Sequence, residues 1–162
     1  MTEFLQRIED LPVSAWVKES PVWGEPTVLT LHTIGMMIVA GTATIIALRL
    51  LGIAPGIAIK PLDRLFPFAW WGFWINAATG TLLLMAEATN KLVNPDFYVK
   101  MVFVFAGVIV LAITRRKVFR SPELEEGKLP PNAKGLAWLS LACWFGAITA
   151  GRLLAYTGPG GH

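Results

Sequence analysis

His32 is the one histidine within an apolar run, and with Glu87, Lys100 and Arg152 it forms a small set of ionisable side chains embedded in otherwise apolar sequence. A neutral imidazole is a good axial ligand for haem iron, and a haem held between helices also needs small residues for room, aromatic walls and cations for its propionates. Gly35, Gly80 and Gly107 meet the first need, Phe73, Phe103 and Phe145 the second, and Lys100 and Arg152 the third. No other internal histidine offers a second axial ligand. That leaves Met101, Met85 or Lys100 to complete the iron, or a five-coordinate site. Soft thioethers with an imidazole suit Cu(I) equally, which makes His32, Met36 and Met101 an alternative metal set. Each residue also has a plainer role. His32 can be a hydrogen-bonded structural histidine, Lys100 and Arg152 can snorkel to a membrane interface, Glu87 can pair with one of them, and the glycines can serve helix packing.

The elements that must carry these residues follow from hydropathy. A chain of 162 residues that is 54% hydrophobic and 15% charged is too apolar for an ordinary soluble domain. Four stretches, 27–51, 66–88, 97–114 and 135–156, approach or exceed the roughly 20 apolar residues that cross a bilayer as a helix. Barrel strands would be about half as long and would alternate. The expected fold is all-α, an integral membrane four-helix bundle forming a single membrane domain over 1–162. Residues 1–25 place Phe4, Leu5, Ile8, Leu11, Ala15 and Trp16 at near-helical spacing among charges. This predicts a short N-terminal interfacial helix interrupted around Pro12. The segment lacks a basic start followed by an apolar core, so it is not expected to be cleaved.

Charge sets the expected orientation. Of the 14 lysines and arginines, nine lie in the first and third links or at their edges: Arg49, Lys60, Arg64, Arg115, Arg116, Lys117, Arg120, Lys128 and Lys134. The positive-inside rule then puts both links in the cytoplasm and both termini in the periplasm, as a multi-pass protein of a bacterial inner membrane. The short second link makes the second and third spans antiparallel neighbours. The net charge of +3 reflects topology and does not point to nucleic acid. The lone Cys143 excludes an internal disulfide and reads as a buried apolar side chain, and His162 reads as a flexible tail residue. Phosphate-binding glycine loops, HExxH and a Ser/His/Asp set are all absent.

With this topology His32, Glu87, Lys100 and Arg152 all fall in the outer third. Because charge inside a membrane is rare and costly, one such residue per helix at a common level implies a shared polar site. At 100° per residue His32 shares a stripe with Gly35, Met36, Val39 and Ala43, Glu87 with Asn76 and Gly80, Lys100 with Gly107, and Arg152 with Phe145 and Ile148, Tyr156 lying one turn on. Asn76, Glu87 and Tyr156 complete the expected polar cluster.

The stretches LHTIGMMIVAG and NPDFYVKMVFV resemble the first and third helices of the membrane protoporphyrinogen oxidase family, and the former also resembles the copper-resistance protein D family. From Leu29 to Tyr156 the chain is similar to an uncharacterised family of four-helix bacterial inner-membrane proteins, through LRLLG, WWGFWINAATG, NPDFYVK and AGRLLAY. The first resemblance implies a b-type haem with functional roles for His32 and Lys100, the second implies copper transport, and the third implies only the architecture. The expectations are therefore a haem b protein near the periplasmic side, serving electron transfer or porphyrin- or quinone-linked oxidation. The alternatives are a copper-handling protein and a non-catalytic membrane subunit. Expected partners are the lipid bilayer, a membrane or periplasmic redox protein, and a second copy of the chain.

Overall fold

The computed structural model describes residues 2–157, and its regular elements are all helical. Two short helices, α1 (Thr2–Glu9) and α2 (Pro12–Glu19), lead into the long α3 (Glu25–Leu50). After a link ending in a 3-10 turn (Lys60–Leu65) come α4 (Phe66–Ala86), the single turn α5 (Ala88–Lys91) and α6 (Pro95–Thr114). A π-turn (Arg115–Phe119), the short α7 (Pro122–Glu125) and α8 (Ala133–Thr157) complete the chain. His162 lies outside the described residues.

Prolines shape the helix starts. Pro12, Pro26, Pro67, Pro95 and Pro122 all sit in a first turn, where the missing N–H would have no intrahelical partner in any case. For this reason α3 and α6 begin two residues before the expected spans, with the proline inside the helix. Asn94 caps α6 by accepting a hydrogen bond from the Asp96 backbone N–H at 2.9 Å. At the other end of α6 the π-turn carries the helix on through five residues expected to lie in the loop.

Among the described residues, three helical stretches are long and apolar enough to cross a membrane: Glu25–Leu50, Pro95–Phe119 and Ala133–Leu154. Helix α4 spans 21 residues and is not among these three, its apolar side chains being interspersed with Trp70, Trp71, Trp74, Asn76 and Thr79. Large apolar side chains cover the outside of the molecule, including Met37, Trp71, Phe105, Ile109, Trp138 and Phe145. A surface this apolar is what a multi-pass membrane protein presents to lipid.

Helix α3 packs along α4, α6 packs along α8, and contact between α3 and α8 joins the pairs. Both pairings are antiparallel. Gly35 lies against Asn76 and Gly72 against Val39, while Lys100 lies against Gly151, Phe103 against Gly146 and Trp144 against Gly107. Small residues thus decide which helices meet, as expected where lipid removes any hydrophobic drive to association. They also override the short link between α4 and α6. Those two helices, expected as packed neighbours, are each committed to another partner. At the end holding the first and third links, α4 instead meets the π-turn that follows α6, where Phe66 and Phe119 stack edge to face with centroids 5.0 Å apart. The main core fills that half with Val39, Ala43, Ile46, Leu50, Phe66, Leu111 and Trp144. At the opposite end Val17, Val28, Leu83 and Ala86 seat α2 on α3 and α4.

Candidate functional site

His32 is positioned by the close approach of α3 and α4. At their crossing the two backbones touch: a methyl group on Gly35 would lie 2.7 Å from the Asn76 amide nitrogen, and one on Gly72 would lie 2.8 Å from the Val39 nitrogen. Further along, Gly80 leaves the space that the imidazole fills, since a Cβ there would come within 2.9 Å of the His32 Cε1. Nδ1 of His32 lies 3.0 Å from the Asn76 carbonyl oxygen and 3.2 Å from the Thr79 hydroxyl. The carbonyl can only accept, and Thr79 spends its own proton on the Ile75 carbonyl at 2.6 Å. The proton therefore sits on Nδ1, and Nε2 carries the lone pair. The Asn76 side-chain amide donates to the His32 backbone carbonyl at 2.8 Å and, at the longer distance of 3.4 Å, to Nε2.

Lys100 enters the same half of the molecule from α6. Its stem runs beside Gly151 of α8, where a Cβ would meet Cε at 3.4 Å and Nζ at 3.7 Å. It is half-buried, and no carboxylate pairs with it among the described residues.

The expected polar set is only partly assembled. His32 and Asn76 are joined, while Lys100 stands in the same half of the molecule beside Gly151 of α8. Glu87 stands outside α4 as its C-cap and pairs with Lys91 at 3.0 Å, while Lys91 also binds the Leu83 carbonyl at 2.9 Å. Arg152, expected on a bundle-facing stripe, lies on the exposed face of α8. The reason is that Ala137, Ser140, Trp144, Ala147 and Ala150 take the inward face and turn Phe145 (75% exposed) and Ile148 outward. It donates instead to the Tyr156 hydroxyl at 3.1 Å, and both side chains are exposed. The glycines differ from expectation in the same way. Gly35 admits the α4 backbone, Gly107 admits the Trp144 indole at 3.1 Å and Gly80 admits the His32 ring, so none of the three opens a bed for a flat ligand. Met36 packs against the core, Met37 is 65% exposed and Met101 is half-buried. No group of three His, Cys, Asp or Glu side chains gathers as a metal site among the described residues.

Sequence reasoning missed Thr79 and Gly72, although they flank Asn76 at helical spacing on one face of α4, three residues after it and four before it. It also missed Glu9. The half-buried Glu9 carboxylate accepts from the Thr89 backbone N–H at 2.7 Å and from its hydroxyl at 2.5 Å, tying α1 to α5. Burial by itself would raise the Glu9 pKa, but the two Thr89 hydrogen bonds, helped by Lys18, outweigh it and hold the carboxyl below its ordinary value.

For a b-type haem, the donor chemistry at His32 fits the axial position. A ligating histidine usually donates its other ring N–H to a carbonyl or carboxylate, which fixes the tautomer and aims the free nitrogen. The fit runs through His32 and Lys100, not through the three glycines. Comparison with protein-family models, with curated proteins and with solved structures gives no match.

Proposed function

We propose that this chain is a four-span membrane protein whose terminal half carries a ligand site centred on His32, with a b-type haem as the ligand and electron transfer as its role. The observation that carries this reading is the Nδ1–H bond to the Asn76 carbonyl, which leaves the lone pair on Nε2, met at 3.4 Å by the Asn76 amide that a ligand would displace. Helix α4 counts as the fourth span because it runs packed along α3, and its indoles belong to a membrane interface. His32 would hold the iron, and the unpaired Lys100 ammonium would bind a propionate or stand as the second ligand. Bound there, the haem would supply one-electron chemistry. The chain's own part is to fix the imidazole tautomer through Asn76 and Thr79, to keep water out with α3 and α4, and to provide a cation. On the positive-inside rule the site lies toward the periplasm of a bacterial inner membrane. The partial resemblance of LHTIGMMIVAG and NPDFYVKMVFV to haem-binding membrane oxidases points the same way.

The test is the visible spectrum of the full chain, produced with haem available and purified in mild detergent. A Soret band that His32→Ala abolishes, and that Asn76→Ala shifts or weakens, is the expected result. A colourless, folded protein refutes haem binding. Stoichiometric copper lost with His32→Ala would replace it with the copper reading. If His32→Ala lowers only the unfolding midpoint, the histidine serves to lock α3 to α4.

A further inference from the structure

The end of the molecule opposite the His32 site carries an assembled basic surface that neither core packing nor the His32 site uses. The 3-10 turn before α4 and the π-turn after α6 come from links separated by a whole helical hairpin, yet they pack against each other. Arg115 joins them. Its Nε lies 3.1 Å and its Nη2 3.3 Å from the two Asp63 carboxylate oxygens, and its guanidinium sits 5.4 Å over the Phe66 ring. A two-point bond of this kind fixes orientation as well as distance. Arg115 thus consumes the one acidic side chain of the two turns, and Lys60, Arg64, Arg116 and Lys117 are left exposed with no ion pair among the described residues.

What lies below these cations identifies their partner. On α4, Arg64 is followed at helical spacing by Phe68 (61% exposed) and Trp71 (68% exposed). In the π-turn after α6, Arg116 is preceded two and three helical turns back by the exposed Ile109 and Phe105. Arg64 and Arg116 therefore each end an outward-facing apolar and aromatic stripe. That is the order of chemistry in a phospholipid, with phosphate at the top and acyl chain below, and it does not suit a wholly aqueous partner.

We propose that the face formed by Lys60, Arg64, Arg116 and Lys117 binds the headgroup of an anionic phospholipid, with its acyl chains lying along the exposed faces of α4 and α6. Cations near an anionic headgroup layer each contribute enough to change binding about fivefold. Convergence of the two turns through Asp63 and Arg115 makes the face a site and not merely a count of charges. The inference stands whatever His32 binds.

The experiment is native mass spectrometry of the detergent-solubilised full chain, titrated with phosphatidylglycerol or phosphatidylcholine. Retention of phosphatidylglycerol over phosphatidylcholine is expected, with a loss of about 25-fold in Arg64→Gln/Arg116→Gln. Lys128→Gln/Lys134→Gln removes as many charges from the same end and should change retention less than twofold. The decisive variant is Asp63→Asn, which makes the face more positive but unties the turns, and its retention should fall. Equal binding of the two lipids, equal loss in the two double variants, or tighter binding by Asp63→Asn would each overturn the proposal. Displacement of the lipid by millimolar inorganic phosphate would overturn it in favour of a soluble-anion site.

Discussion

Replacing Gly35 with alanine probes how His32 is held without touching the histidine itself. The new methyl would sit 2.7 Å from the Asn76 amide nitrogen and 2.9 Å from the Gly72 carbonyl oxygen. Both are backbone atoms inside α4, so no side-chain rotation can relieve the clash and the helices must move apart. Overpacking of this kind costs about 1–3 kcal/mol. Separation also stretches the reciprocal bonds between His32 and Asn76, each worth roughly 0.6 kcal/mol and at most about 1.7 within a membrane bundle. Alanine gives back about 1 kcal/mol through helix propensity, so the net loss is about 2–4 kcal/mol. Gly41, on the same helix, is the control, because a Cβ there meets nothing within 4 Å. Gly41→Ala should be neutral or stabilising by up to about 1 kcal/mol. The assay is the unfolding midpoint in mixed micelles of mild and denaturing detergent, with the Soret band followed in parallel. If Gly35→Ala unfolds no earlier than Gly41→Ala, the backbone contact between α3 and α4 does not hold the site.

Two further outcomes follow from the polar contacts at the terminal end. The Glu9 carboxyl is held below its ordinary value in the folded protein, so its contribution is full above the unfolded pKa and is lost as pH falls through the lower, folded one. Docking of α1 and α2 should therefore hold at neutral pH and loosen in acid below the usual carboxylate range, read as protease cleavage between α2 and α3. Glu9→Gln should be cleaved at neutral pH and show no acid step. At the start of α6, Asn94→Ala removes the cap on Asp96 together with the 3.2 Å bond to Thr157 on α8, and should lower stability by about 1–2 kcal/mol, most of which Asn94→Asp restores.

The apolar runs were legible in the sequence because their length and lack of charge admit few structures besides membrane helices. The inward faces of α3 and α6 were legible too. His32 with Gly35, Val39 and Ala43, and Lys100 with Val104, Gly107 and Leu111, lie on the mainly buried sides of their helices. Arg152 was misplaced because a charge was allowed to choose the face of α8. The serine, alanines and tryptophan at positions 137, 140, 144, 147 and 150 chose it, since only small or well-fitted side chains let α8 approach α3 and α6. Glu87 was counted as part of a span because no breaker follows it at once, yet α4 ends one residue earlier and its C-terminal carbonyls are met by Lys91. The Glu9 bond to Thr89 joins residues 80 apart, and no periodicity reports such a contact.

Among the described residues α4 is the one long helix outside the set that is long and apolar enough to cross a membrane, yet it supplies both partners of His32. The two facts are connected. Asn76 and Thr79 lower the apolarity of the helix because they are the groups that fix the imidazole, and polar side chains persist inside a membrane bundle when a facing helix satisfies them. The same holds for Gly80, which adds little to hydropathy and whose missing side chain is the volume that the His32 ring occupies. A glycine opposite a histidine can serve a ligand indirectly, by giving the ligating side chain somewhere to stand. On that argument Gly80→Ala should disturb the His32 site more than Gly107→Ala. The first methyl displaces the imidazole from Asn76 and Thr79, whereas the second meets only the indole of Trp144.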